Sequence, residues 1–150
     1  MFRIFTIMKN TAKLLALFFT VFTFSQEKIT HKIDLELKNC LTAEENKSTA
    51  AMSQCLNDAL AEWDLELNAT YKLLQTKLDS KAEQKLKDSQ RQWIKFKQKE
   101  VELINATYGK ANGTMWQVIK MDKILEITRN RTQKLQLLLV DLNKLLNFII

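Results

Sequence analysis

Helix-breaking residues are nearly absent from this chain, whose 150 residues include two glycines and no proline. Those two residue types form most tight hairpins and corners, so their scarcity disfavours β-sandwiches, β-barrels, glycine-rich phosphate loops and zinc ribbons. With 46% apolar and 27% charged residues, the chain is long enough for one compact domain and too short for two ordinary ones. The composition predicts a single, mostly helical domain. It does not by itself indicate a function.

Residues 1–26 are typical of a secretory signal peptide. Arg3, Lys9 and Lys13 give a positive start, and residues 14–24 form an uncharged run that is shorter than the ~20 residues needed to span a bilayer. No cysteine lies at the end of the run, which disfavours a lipid anchor. We therefore expect cleavage of residues 1–26 and a periplasmic or secreted mature chain. A buried N-terminal helix or an uncleaved anchor is the alternative.

Cys40 and Cys55 are the only two cysteines in the chain. An oxidising compartment favours a disulfide between them, and two free buried thiols are the alternative. One straight helix through both would separate them by roughly 20 Å, whereas bridged Cα atoms lie within about 7 Å. A disulfide therefore requires the chain to bend near residues 46–49. Two cysteines and the lone His31 do not form a recognisable ligand set, so we expect no metal and no other cofactor.

Apolar residues recur at steps of three and four in three long segments, which indicates three helices. Two start signals, at Thr42 and Ser48, compete for the first helix, which we expect to run from about 49 to 78. Capping boxes at residues 80–83 and 114–117 predict the starts of the second and third helices.

The short connections between these segments predict an all-α fold, an up-down-up bundle of three long antiparallel helices. Gly109 is expected to supply a left-handed cap at the end of the second helix. Residues 27–39 show no clear apolar stripe and are expected to form an irregular lead-in. The disulfide would tie this N-terminal segment to the first helix, within a helical domain over residues 40–147.

Charge is distributed unevenly along the mature chain. Residues 34–68 contain eight acidic and two basic residues, a net charge of −6, whereas residues 69–150 contain sixteen basic and eight acidic residues, a net charge of +8. This division indicates an acidic surface for a basic partner, a basic surface for an anionic partner, or two surfaces that neutralise each other inside the bundle. The candidate acidic residues for binding a partner are Glu44, Glu45, Asp58, Glu62 and Glu66.

A basic flank, Lys95, Lys97 and Lys99, lies on the second predicted helix. It would suit an anionic lipid or cell-wall surface, and export disfavours a nucleic-acid partner. The carboxylates of Glu62 and Glu66 lie one helical turn apart, and a pair of carboxylates can act as general acid and general base. On an exposed helix, however, such a pair is generally only solvated. Neither Gly-x-Ser-x-Gly nor His-Glu-x-x-His occurs. The sequence therefore predicts that the protein is not an enzyme.

A set of residues spread over most of the mature chain has a recognisable order. Its members are Cys40, Cys55, Asp64, Leu67, Asn68, Tyr71, Gln90, Arg91, Trp93, Thr128, Arg131 and Leu135. This pattern resembles the LprI-type lysozyme-inhibitor domain of exported bacterial proteins over about residues 40–138. The resemblance implies a small helical, disulfide-containing periplasmic or surface module that inhibits lysozyme. Family members commonly carry a second cysteine pair, which is absent here, and Val101 lies in the corresponding region.

The motif residues of this pattern are expected to be structural. A guanidinium can hold a carboxylate by two hydrogen bonds, so we expect Asp64 to meet Arg131 or Arg91. The amides of Asn68 and Gln90 are expected to bridge helices. Two aromatic side chains are expected to supply large buried area with a polar tip, namely Tyr71 and Trp93.

Two classes of function follow from the sequence. The first is an exported inhibitor that captures a basic muramidase through its acidic first segment. The alternative is a structural envelope module that binds peptidoglycan, anionic lipid or a membrane-protein partner through the basic flank and the apolar C-terminal end.

Overall fold

The computed structural model describes residues 31–149, and this part of the chain is entirely helical. Four α-helices, α1 (Lys32–Thr42), α2 (Thr49–Lys77), α3 (Ser80–Tyr108) and α4 (Met115–Ile149), follow one another, with a short 3₁₀ helix (Glu44–Asn46) between α1 and α2. The expected all-α class is therefore confirmed, with no strand among residues 31–149. The predicted signal peptide lies outside the described residues. None of the described helices is long and apolar enough to cross a membrane.

The disulfide between Cys40 and Cys55 is confirmed, with their Cα atoms 5.9 Å apart. The chain bends between these residues, as expected, through the 3₁₀ helix and the residues that follow it. The Asn46 side chain stabilises the bend because its Nδ2 donates to the Cys40 carbonyl oxygen at 3.0 Å. The bridge therefore joins α1 to the second turn of α2.

Two side chains cap the long helices at their N-terminal ends. Ser48 Oγ accepts from the Ala51 N–H at 3.1 Å, so Ser48 and not Thr42 starts α2. The expected cap of α3 was wrong by one residue, since Asp79 Oδ1 accepts from the Ala82 N–H at 2.8 Å. Serine and aspartate are almost equally good caps, so the spacing of residues 80–83 did not separate the two positions.

The role expected for Gly109 was also wrong. Gly109 has a φ of −68°, in the right-handed region, and its N–H donates to the Asn105 carbonyl at 2.8 Å. Gly113 adopts the left-handed conformation instead, with a φ of 104°. The chain thus leaves α3 through an ordinary turn and reverses its direction four residues later, just before α4.

The expectation of an irregular lead-in over residues 27–39 was wrong for Lys32–Asn39, which belong to α1. His31 caps this helix, since its Nδ1 accepts from the Ile33 N–H at 3.3 Å. Ile33 is buried in the core, and Leu37, one turn later, packs against the same cluster. Ile33, Leu35 and Leu37 alternate with polar residues, so the i, i+4 spacing of Ile33 and Leu37 was not recognised as a helical stripe in the sequence.

Two apolar clusters form the core, and α2 contributes to both. The first contains Ile33, Leu56, Ala59, Trp63 and Leu125, so it joins α1, α2 and α4. The second contains Leu67, Leu74, Leu86 and Leu135, which join α2, α3 and α4.

The long helices contribute unequally to this core. The most extensive contact is between α2 and α4, and α3 touches α4 more than α2 although a short loop joins α2 to α3. Leu86 is the one fully buried residue of α3. The up-down-up arrangement of the three long helices stays a prediction.

Candidate functional site

The residues of the recognised pattern divide between the core and the surface. Leu67, Thr128 and Leu135 are buried, with exposures between 0% and 4%. Tyr71 is half-buried and packs against the second cluster. These four residues hold α2 and α4 together, as a structural role requires.

Four other residues of the pattern, together with Leu67, line one surface groove of about 590 Å³ between α2 and α3, called here the motif groove. Its walls are Asp64, Leu67, Asn68, Gln90, Trp93, Ile94, Lys97, Gln98, Val101 and Glu102. The contact between α2 and α3 is small, and Leu86 is the residue by which α3 enters the second core cluster. The sequence pattern did not indicate that these residues would share a solvent-accessible groove.

Trp93 lines the motif groove and has two cations near its ring. Lys97 Nζ lies 5.4 Å from the indole ring centre and Arg131 Cζ lies 5.9 Å from it, distances at which cations are attracted to an aromatic face. Trp93 is half-buried, so its expected burial holds in part. The indole therefore lies within cation–π distance of a lysine of α3 and an arginine of α4.

Arg131 is fixed by polar contacts with α3. Its Nε donates to Gln90 Oε1 at 3.1 Å and its Nη2 donates to Ser89 Oγ at 3.1 Å. Gln90 thus bridges two helices, as expected. Burial lowers the pKa of the Arg131 guanidinium, but an arginine remains charged at neutral pH. Arg131 is therefore a fixed positive charge at the α3–α4 contact.

The expected partner of Asp64 was wrong. Asp64 pairs with Lys97 at 3.5 Å, across the motif groove, whereas Arg131 is engaged with Gln90 and Ser89. Arg91 instead pairs with Asp88 on its own helix. Asn68 does not bridge helices, since its Nδ2 donates at 2.8 Å to the backbone carbonyl of Asp64 one turn earlier.

The predicted acidic residues lie at the other end of α2 and in the 3₁₀ helix. Asp58 and Glu62 are exposed on one side of α2, one turn apart, and neither has an ion-pair partner within residues 31–149. Glu44 and Glu45 are also exposed, and Glu44 pairs with Lys47 at 3.4 Å. Glu66 is not free as expected, since it is partly buried and accepts from Gln136 Nε2 at 2.8 Å.

Leu65 adds an apolar member to this side of α2 that sequence reasoning missed. It follows Asp58 and Glu62 at positions i+7 and i+3, and 72% of its surface is exposed. Leu65 falls outside the three- and four-residue spacing of the buried residues Trp63, Leu67 and Leu74, so its exposure could have been predicted from the sequence. We call Asp58, Glu62 and Leu65 the acidic stripe.

The basic flank is less available than its sequence indicates. Lys97 is engaged with Asp64, and Lys99 pairs with Glu102 at 2.7 Å. Only Lys95 of this group is exposed without an ion-pair partner within the described helices. Across residues 31–149, no group of three or more His, Cys, Asp or Glu side chains is arranged to hold a metal ion.

Comparison with known proteins shows a family match and similarity to a solved structure. Residues 40–135 match the family described as "Lysozyme inhibitor LprI". The crystal structure of an uncharacterized protein from Burkholderia thailandensis is similar to this chain, with a TM-score of 0.67 and 30% sequence identity over 71% of this chain and 53% of the other. The chain thus spans about half the length of that protein. A search of curated proteins gives no match.

Proposed function

Because this chain belongs to the LprI lysozyme-inhibitor family, we propose that it is an exported module that binds a muramidase and inhibits it by protein–protein contact. The observation that carries the proposal is the acidic stripe of α2. Its two carboxylates are exposed, lie one turn apart, and have no competing cation nearby among residues 31–149. Lysozymes are often strongly basic, so such a stripe would steer them towards this surface and stabilise the complex.

The acidic stripe is presented by a helix that is firmly held on its opposite side. Leu56, Ala59, Trp63 and Leu67 are buried along the same segment of α2, with exposures of 5% or less. The disulfide fixes the start of that segment to α1. A surface that is ordered before binding loses little conformational entropy on association, which favours affinity.

Leu65 gives the stripe a means of excluding water. An exposed leucine between carboxylates can enter a pocket of a partner, and the surrounding charges then lie at the rim of the contact. Charge would contribute mainly to the rate of association and to specificity, whereas burial of Leu65 would slow dissociation.

The pattern residues are assigned a supporting role in this proposal. Leu67, Thr128 and Leu135 pack α2 on α4, and Arg131 joins α4 to α3 through Gln90. This scaffold is proposed to be an up-down-up bundle of α2, α3 and α4. Export is part of the same proposal, with residues 1–26 as the leader, and the disulfide supports an oxidising compartment. Inhibition by contact requires no catalysis by the chain itself.

The proposal is tested by the clearing of a suspension of bacterial cell walls by lysozyme, with and without the purified mature chain. The double variant Asp58→Lys/Glu62→Lys should weaken inhibition roughly 100-fold, because it replaces attraction by repulsion at two positions. The control Glu102→Lys/Asp141→Lys makes the same change of net charge on α3 and α4 and should inhibit normally. Inhibition by the unaltered chain should also weaken as salt is raised.

Three results would contradict the proposal. Lysozyme activity unchanged by a large excess of the chain removes the inhibitory function. Equal losses in the two charge-reversed variants would mean that net charge, and not the acidic stripe, governs binding. Full inhibition by Asp58→Lys/Glu62→Lys would place the binding surface elsewhere.

A further inference from the structure

A second groove, of about 590 Å³, lies between the start of α3 and the middle of α4, away from the acidic stripe. We call it the basic groove, because four of its lining residues are cations above an apolar floor. The lining consists of Leu78, Asp79, Lys81, Ala82, Lys85, Leu86, Ser89, Arg131, Lys134, Leu135 and Leu138. Neither the family pattern nor the proposed inhibition uses its lysines.

The lining of the basic groove carries a net charge of +3, from four cations and Asp79. Lys81, Lys85 and Lys134 are exposed and have no ion-pair partner among residues 31–149. The carboxylate of Asp79, the one acidic side chain of the lining, caps α3 by accepting from the Ala82 N–H. The groove therefore favours an anionic partner.

An exposed apolar strip continues from the basic groove along α4. Leu138, Leu145 and Phe148 follow Lys134 on one side of the helix, and their exposures are 46%, 60% and 90%. Every residue over 143–148 is exposed, whereas Leu142 still packs against the second core cluster. The end of α4 therefore lacks packing against the other described helices.

We propose that the basic groove and this strip dock the protein on the surface of a bilayer that contains anionic phospholipid. The lysines would approach the headgroup phosphates, and Leu145 and Phe148 would enter the boundary of the acyl chains. Long lysine stems can lie along apolar surface while their ammonium groups reach phosphate. The result is attachment parallel to the surface, with none of the described helices crossing the bilayer.

The arrangement favours a bilayer over an acidic protein helix. A partner helix is usually held between two apolar walls, and here the strip beyond Leu142 lies on a single helix with no second wall among the described residues. A lipid surface requires no such wall. Asp141 lies on the same side, but its carboxylate pairs with Lys144 at 3.7 Å, which offsets its repulsion from phosphate.

Co-sedimentation of the purified mature chain with vesicles tests the proposal. Vesicles of phosphatidylcholine with one-third phosphatidylglycerol should bind the chain, and binding to phosphatidylcholine alone should be at least tenfold weaker. Lys81→Gln/Lys85→Gln/Lys134→Gln should weaken binding to anionic vesicles about 100-fold, from the usual contribution of a lysine near an anionic surface. Leu145→Ser/Phe148→Ser should weaken it roughly tenfold or more through lost apolar burial.

The matched control is Lys38→Gln/Lys95→Gln/Lys110→Gln, which removes the same charge from exposed lysines outside the groove. It should retain most binding, and circular dichroism should show equal helix content in all variants. Equal losses in the two lysine variants, or no binding to anionic vesicles, would overturn the proposal. Binding to an acidic amphipathic peptide without binding to vesicles would overturn it in favour of a protein partner. These outcomes are independent of lysozyme inhibition.

Discussion

A partly buried polar contact between α1, α2 and α4 gives a quantitative test of how the N-terminal helix is held. Asp34 Oδ1 accepts from Trp63 Nε1 at 3.2 Å and from Arg129 Nη1 at 3.4 Å. The Asp34 and Arg129 side chains are 19% and 27% exposed, and Trp63 is fully buried. Replacement of Asp34 by alanine therefore leaves an indole N–H without a partner inside the core.

We expect Asp34→Ala to lower the free energy of unfolding by about 2 kcal/mol. Most of this comes from the unpaired Trp63 N–H, at about 1–3 kcal/mol, because the partly exposed pair with Arg129 contributes only about 0.5 kcal/mol. In urea unfolding followed by circular dichroism, the midpoint should fall by about 1 M. The control Glu36→Ala, also on α1, removes only an exposed pair with Lys32 and should change stability by less than about 0.5 kcal/mol.

A double-mutant cycle separates the hydrogen bond from lost packing. Trp63→Phe removes the N–H and part of the ring whether residue 34 is aspartate or alanine. The loss of unfolding free energy that it causes should therefore be smaller by about 1 kcal/mol in the Asp34→Ala variant, where the hydrogen bond is already absent. A loss below 0.5 kcal/mol for Asp34→Ala, or no coupling between the two substitutions, would refute the reasoning. In that case α1 would be held by the disulfide and by apolar contacts alone.

Two further predictions concern single side chains. The hydroxyl of Thr128 is buried without a hydrogen-bond partner within the described residues, so Thr128→Val should be neutral or raise stability by up to about 1 kcal/mol in urea unfolding, and a clear loss would contradict this. A hydrogen bond from Lys87 is the largest cause of the lowered pKa of Glu83. The ionised Glu83 therefore stabilises the folded chain above the ordinary pKa of 4.5, and this stabilisation is lost as the pH falls through the pKa of the folded state. Glu83→Gln should therefore show a smaller loss of stability than the unaltered chain between pH 5 and pH 2 (roughly the span of a carboxyl titration), measured by urea unfolding at each pH.

Local signals were sufficient to predict much of the helical framework. Ser48 and the geometric demand of the disulfide correctly defined the start of α2, because capping and loop closure depend on residues close in sequence. Helix α1 was missed because its stability comes from contacts with α2 and α4. Asp34 meets a partner 29 residues away and another 95 residues away, a pairing that no local spacing encodes.

The candidate sites were predictable to different degrees. Asp58 and Glu62 are exposed as expected because an acidic helix face tends to remain solvated. The pairing of Asp64 with Lys97 depends on how α3 diverges from α2 after Leu86, and helix divergence is set by packing over the whole bundle. The motif groove lies between α2 and α3, and the basic groove lies between α3 and α4. Neither is visible in the spacing of residues along one helix.

The cross-link between Cys40 and Cys55 encloses a turn whose residues Glu44, Glu45, Lys47 and Ser48 are all exposed. A protease that cuts the backbone in this turn would leave the two fragments covalently joined. Helix α1 would then stay packed against Trp63, because the disulfide keeps the cut fragment at a high effective concentration near its binding surface. Such a nicked molecule would migrate as one species in a denaturing gel and separate only after thiol reduction, so limited digestion need not abolish its activity.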